Sequence, residues 1–183
     1  MDYKAETPFK LTTLATFLLA ALAIWVPSGY SYGAVLLLAG ALFYAPRWLR
    51  SRPERRTLWL ALLLVCMGCM WFFLSLDRGM GRWDKGIKWL LGVPCLLFIA
   101  AFPPRPQAFF WGLPVGCIGM GSLAMWQAWA QGMERPEGYT NAIQWGNLAL
   151  LLGCMAMVCA AIFWRWRAGW WRAFMVVAVV AGV

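Results

Sequence analysis

The sequence predicts an all-α protein, a polytopic bundle of transmembrane helices with about six complete spans and a truncated seventh. Two observations carry that expectation. Hydrophobic residues make up 63% of the 183 and charged ones 13%, with a mean hydropathy of +0.66, whereas about a quarter of the residues of a soluble domain are charged. The charges also lie between the apolar runs: none falls in Leu11 to Ala45, Thr57 to Leu76, Trp89 to Pro104, Pro106 to Met133 or Gly138 to Trp164. Each run can therefore be immersed in hydrocarbon.

The first span is expected over 11–26, closed by Pro27, Ser28 and Gly29. No A-x-A cleavage site follows it and another apolar run begins at once, so it reads as an uncleaved anchor and not as a signal peptide. The second span covers 30–45. The loop "PRWLRSRPERR" then leads to the third, 58–76, and serves as a cytoplasmic retention signal and lipid contact. The fourth, 87–102, is short and contains Pro94, which predicts a kink or a shallow, irregular helix. The fifth, 108–130, carries Gly112, Gly116, Gly119 and Gly121, a thin side suited to close helix packing, with Pro114 bending it. The sixth covers 142–164. The last run, 173–183, is about half of the roughly 20 residues needed to cross the hydrocarbon core, so the chain reads as cut short there.

Orientation follows from the basic residues. With the N-terminus inside, the cytoplasmic segments hold eleven of the sixteen Lys and Arg, and the outer loops, at about 27–30, 77–88 and 131–141, hold five. Several tryptophans, among them Trp25, Trp48, Trp59 and Trp129, fall near span ends, where an indole keeps its ring in the interface and its N–H wet. The net charge of +9 is spread loop by loop as topology signals are, which argues against a nucleic-acid partner and for membrane lipid. The six cysteines all lie within apolar runs, and the Cys66–Cys69 pair has neither a second pair nor a histidine beside it; packing is the expected role, with no metal and no cofactor. With no histidine anywhere, the chain offers no imidazole base or ligand.

Two polar stretches on the outer side stand out. In "ERPEGYTNAIQWGN", Glu134 to Asn147, Pro136 and Gly138 break the chain and Asn141 stands three residues before Gln144, close to a capping box. The sixth helix should start at Asn141, with Gln144 and Asn147 following on roughly one face and Asn147 about 9 Å below the cap at 1.5 Å per residue. Arg135 stands just above this positive helix end, a combination that favours an anion; amides bonding a neighbouring helix are the plainer reading. In "LDRGMGRWDKGIKWLLGVP", Leu76 to Pro94, Asp84 is expected to cap the fourth helix, with Lys85 in its first turn and Lys88 one turn in. A phosphate-bearing headgroup would suit these cations, as would lysines that merely snorkel.

"RPEGYTNAIQWGNLALLLG", Arg135 to Gly153, resembles the "R-x-x-G-Y/F-T-N-x-I-Q-F-G" segment of the O-antigen ligase and polymerase family. "WDKGIKWLLGVPCLLF", Trp83 to Phe98, resembles that family's acidic-basic motif before an "LL-x-x-P" helix. The resemblance implies part of a bacterial inner-membrane glycosyltransferase, inverting and metal-independent, that takes a glycan from undecaprenyl diphosphate on the periplasmic side. The ligase branch passes it to lipid A core and the polymerase branch to another lipid-linked chain. It implies substrate-binding roles for Arg135, Tyr139, Asn141, Gln144, Asn147, Lys85 and Lys88. It assigns no catalytic residue here, because the family's histidine-bearing periplasmic loop and its diphosphate-holding arginines lie further along the chain; the segment alone is expected to be inactive. Trp145 stands where phenylalanine is usual, and Gly86 where proline is. A transporter or lipid flippase is the first rival, disfavoured by spans without ionisable residues; a structural assembly subunit is the second.

Overall fold

The computed structural model describes residues 3–76, 83–139, 141–163 and 169–182, and all of the regular structure among them is helical. The helices are α1 (Tyr3–Leu22), α2 (Gly29–Phe43), the single turn α3 (Ala45–Trp48), α4 (Arg55–Leu76), α5 (Trp83–Ala101), α6 (Pro106–Ala130), α7 (Ala142–Phe163) and α8 (Gly169–Gly182). Three segments, Arg55–Leu74, Pro106–Ala130 and Ile143–Ile162, are long and apolar enough to cross a membrane; Gly29–Phe43, Gly86–Ala101 and Trp171–Ala181 are apolar but shorter. Asp77, Arg78 and Arg82 of the expected outer loop, and Arg165 and Arg167, lie outside the described residues.

The chain forms two compact units. In the first, residues 1–12 and 34–104, α4 and α5 lie side by side. Two glycines make that approach possible: a Cβ on Gly86 would lie 3.2 Å from the Gly68 carbonyl oxygen, and one on Gly68 would lie 2.8 Å from Leu90 Cδ2. Gly86 is thus a helix contact. α5 continues as helix through Pro94 and is longer than the expected span. It starts at Trp83, so Asp84 lies within the helix and not before it. The core of this unit is aromatic. Phe98 is fully buried, meets Phe102 edge-on at 5.4 Å and stacks with Tyr44 at 6.2 Å, while Phe9 closes on Phe102 at 5.4 Å. The Arg47 guanidinium lies 5.4 Å from the Tyr44 ring centre, a cation–π contact at the edge of the arginine-rich loop.

The second unit, residues 13–33 and 105–183, groups α6, α7 and α8 around a core of Leu113, Met120, Ala156, Met175 and Ala178. The later part of α1 joins it through small residues: Ala15, Ala20 and Ala21 are buried, and the Cβ positions of Gly112 and Gly116 face the Phe17 and Ala20 carbonyls at 2.7 and 2.5 Å. The α6 glycines serve two sides, because Gly121 meets Ala181 of α8 at 2.7 Å by the same measure. α1 ends at Leu22, four residues before the expected limit of the span. The Trp25 indole Nε1 donates to the Ala21 carbonyl at 2.6 Å, which satisfies one of the orphan carbonyls of a helix end. Ser28, at φ 53, then turns the chain into α2.

Candidate functional site

The end of α6 and the start of α7 are built around one buried amide. Gly132 takes φ +67 just past the helix, and the Met133 N–H donates to the Gln127 carbonyl at 3.1 Å, the left-handed glycine stop that helix C-termini favour. Gln127, only 6% exposed, then reaches the returning chain with its side chain. Its Oε1 accepts from the Glu137 N–H at 3.1 Å and the Gly138 N–H at 2.9 Å, and its Nε2 donates to the Gly138 carbonyl at 3.1 Å. Gly138 sits at φ +58, and a Cβ there would run into the Trp145 ring. No other residue type fits both demands. Three residues on, Asn141 caps α7: its Oδ1 accepts the Gln144 N–H at 2.8 Å and its carbonyl accepts the Trp145 N–H at 2.9 Å. The expected helix start is therefore correct to the residue.

Beneath this loop lies a cleft of about 650 Å³. Five small residues line it, Gly121 and Ala124 of α6, Gly146 and Ala149 of α7 and Ala181 of α8, together with the larger Met120 and Leu150. Trp145, 6% exposed, forms a wall. Glu134, Arg135 and Pro136 form the rim. A second cavity, about 700 Å³, lies along another face of α6 between Trp25, Trp126, Tyr139 and Phe174. Both are largely apolar, and only the first has ionic groups at its edge.

Of the residues singled out from the sequence, Arg135 reaches the cleft and is exposed at its rim. Asn141 caps α7 and is not among the residues that line the cleft. Gln144 and Asn147 are exposed and do not line the cleft; on the same helix Trp145, Gly146 and Ala149 do. Tyr139, half-exposed, belongs to the second cavity. Lys88 is exposed on α5 in the first unit, and the Lys85 side chain lies outside the described residues. Sequence reasoning missed Gln127 and Trp145. The available signal for Gln127 was an amide one turn short of the end of an apolar span, where a polar side chain has to find a partner.

Among the described residues no cluster of His, Cys, Asp or Glu could hold a metal ion. The six cysteines are free, and Cys66 and Cys69 lie exposed on α4. No known family signature matches the chain, and no solved structure does. The chain is similar to an uncharacterized protein of Haemophilus influenzae, 27% identical over 141 residues, which are 75% of this chain and 35% of that protein. It thus spans about a third of the length of the curated relative it matches.

Proposed function

We propose that this chain is the N-terminal membrane part of a bacterial inner-membrane glycosyltransferase of the O-antigen ligase type, with its N-terminus in the cytoplasm. Six helices cross, and the short apolar α8 follows them. The cleft is the outer wall of the site for a glycan carried on undecaprenyl diphosphate, and lipid A core is the acceptor; transfer itself belongs to residues outside these 183, which include no histidine. The observation that supports this best is the composition of the cleft. Gly121, Ala124, Gly146, Ala149 and Ala181, together with Met120 and Leu150, line a space that accepts an apolar chain, while the Arg135 guanidinium stands at its rim, a pairing that suits a lipid with an anionic head. Glu134 shares that rim. Net charge therefore does not hold the anion, and the directed donors of Arg135 do.

The test is donor-dependent glycan transfer by the full-length protein. An Arg135→Ala, Asn141→Ala double variant is expected to lose at least tenfold in kcat/KM for the lipid donor, the loss of one charge-assisted contact. Unchanged transfer would remove the cleft from the donor site. Product analysis with lipid A core or a second lipid-linked glycan as acceptor separates ligase from polymerase, and transport of labelled lipid without transfer would favour a flippase.

A further inference from the structure

We infer that Gln127 is a positioning residue, a latch whose amide pairs with the backbone N–H and carbonyl of Gly138 and thereby holds Arg135 at the rim of the cleft. Gln127 is not part of the cleft lining. It acts on it through the strap Met133 to Gly138, bounded by two glycines with positive φ, Gly132 and Gly138. Between those pivots lie Glu134, Arg135 and Pro136, all of them rim residues. Three hydrogen bonds from one buried side chain close the strap at its far end. The Trp145 ring of α7 packs directly against Gly138, filling the space a side chain there would take. The next residue, Tyr139, lines the aromatic cavity, so one latch sets the side chains on both cavities.

A side chain that supplied only helix packing would not need an amide at this position. One that closes a strap on a single residue must present an acceptor and a donor together, because each non-proline residue offers one backbone N–H and one carbonyl. Gln127 meets Gly138 with both, and its second acceptor capacity takes Glu137. Arg135 is not itself bonded to Gln127 and is held only through the strap that Gln127 closes.

The functional consequence rests on the donor-site reading above, so the test has two arms. The first uses the purified full chain in detergent without any ligand and follows cleavage by a glutamyl endopeptidase at Glu134 and Glu137, with exposed Glu54 in the other unit as internal control. Gln127→Met keeps the length and apolar body of the side chain and removes both polar atoms. It is expected to speed strap cleavage about ten- to hundredfold, the loss of two to three hydrogen bonds of ordinary net strength, and to leave cleavage at Glu54 unchanged. Gly138→Ala opens the latch from its other half and should give a similar rate, and the double variant should be no faster than the faster single, the non-additivity of a shared interaction. Equal cleavage of wild type and Gln127→Met, or additive effects of the two changes, would overturn the latch.

The second arm adds a polyprenyl diphosphate in mixed micelles and measures donor kinetics in the full-length protein. The lipid should protect the wild-type strap, and Gln127→Met should raise KM for the donor with kcat kept within about twofold, whereas a general folding defect would lower kcat. A strap that opens in Gln127→Met but gains no protection from lipid would leave the latch standing and remove the donor-site reading.

Discussion

Alanine placed at two glycines of the same unit should change stability in opposite directions. At Gly116 a Cβ would lie 2.5 Å from the Ala20 carbonyl oxygen, and at Gly146 it would meet nothing within 4 Å. Both glycines are inside helices, so each replacement gains the same intrinsic helix preference, about 0.8–1.0 kcal/mol. At Gly146 that gain stands alone. At Gly116 the neighbour is backbone on both sides, and restoring the 3.4 Å of ordinary contact means moving α1 from α6 by about 0.9 Å. Overpacking of this kind costs about 1–3 kcal/mol, which exceeds the helix gain. Gly116→Ala is therefore expected to lose up to about 2 kcal/mol and Gly146→Ala to gain up to about 1 kcal/mol. Adding Gly112→Ala should cost less than a second independent clash, because its Cβ at 2.7 Å from the Phe17 carbonyl needs the same withdrawal of α1. Thermal unfolding in a mild detergent, followed by tryptophan fluorescence, reads the difference as midpoints on opposite sides of wild type, several degrees apart. If Gly116→Ala melts as high as Gly146→Ala, the close approach of α1 and α6 does not exist as described.

Removing the α7 cap by Asn141→Ala should cost about 1 kcal/mol and Asn141→Asp almost nothing, since aspartate keeps the acceptor and adds charge at the positive helix end; amide exchange at Gln144 and Trp145 reports it, and equal protection in the alanine variant would refute the cap. Trp25→Phe loses the bond to the Ala21 carbonyl and the ring contact with Gly119, an expected loss of about 1–3 kcal/mol in the same melting assay. Glu6→Gln breaks the exposed pair with Lys10, 2.9 Å apart, and should leave the midpoint within about 0.5 kcal/mol of wild type; a larger loss would mean that the pair is shielded. Reporter fusions at Glu54 and Glu134 are expected to report opposite sides of the membrane, and the same side for both would overturn the proposed topology.

The sequence disclosed the features that single residues decide locally. Asn141 before an apolar run fixes a helix start, and four glycines in α6 announce close packing. Periodicity and caps say nothing about which partner each glycine meets, and so the division between Ala20 on one side and Ala181 on the other emerged only with the fold. The limits of α1 were misplaced for a related reason. Polar Thr7, Lys10 and Glu6 do not prevent a helix, and the stop at Leu22 depends on an indole reaching back to Ala21. At the cleft, Arg135 was visible as a charge next to a helix start. Gln127 was not, because its partners are backbone groups ten and eleven residues away, and side chain to backbone bonds of that range leave no spacing pattern.

The opposed glycine contacts of α6 also constrain how the gene can drift. A helix turns 100° and climbs 1.5 Å per residue, so a one-codon insertion or deletion between Gly116 and Gly121 would swing one glycine set out of its seat while leaving the other in place. Point changes elsewhere on this helix are absorbed one side chain at a time, but a length change here sets two neighbours against each other. Among descendants of this sequence, the five-residue interval between those two positions should outlast the identity of most residues around it.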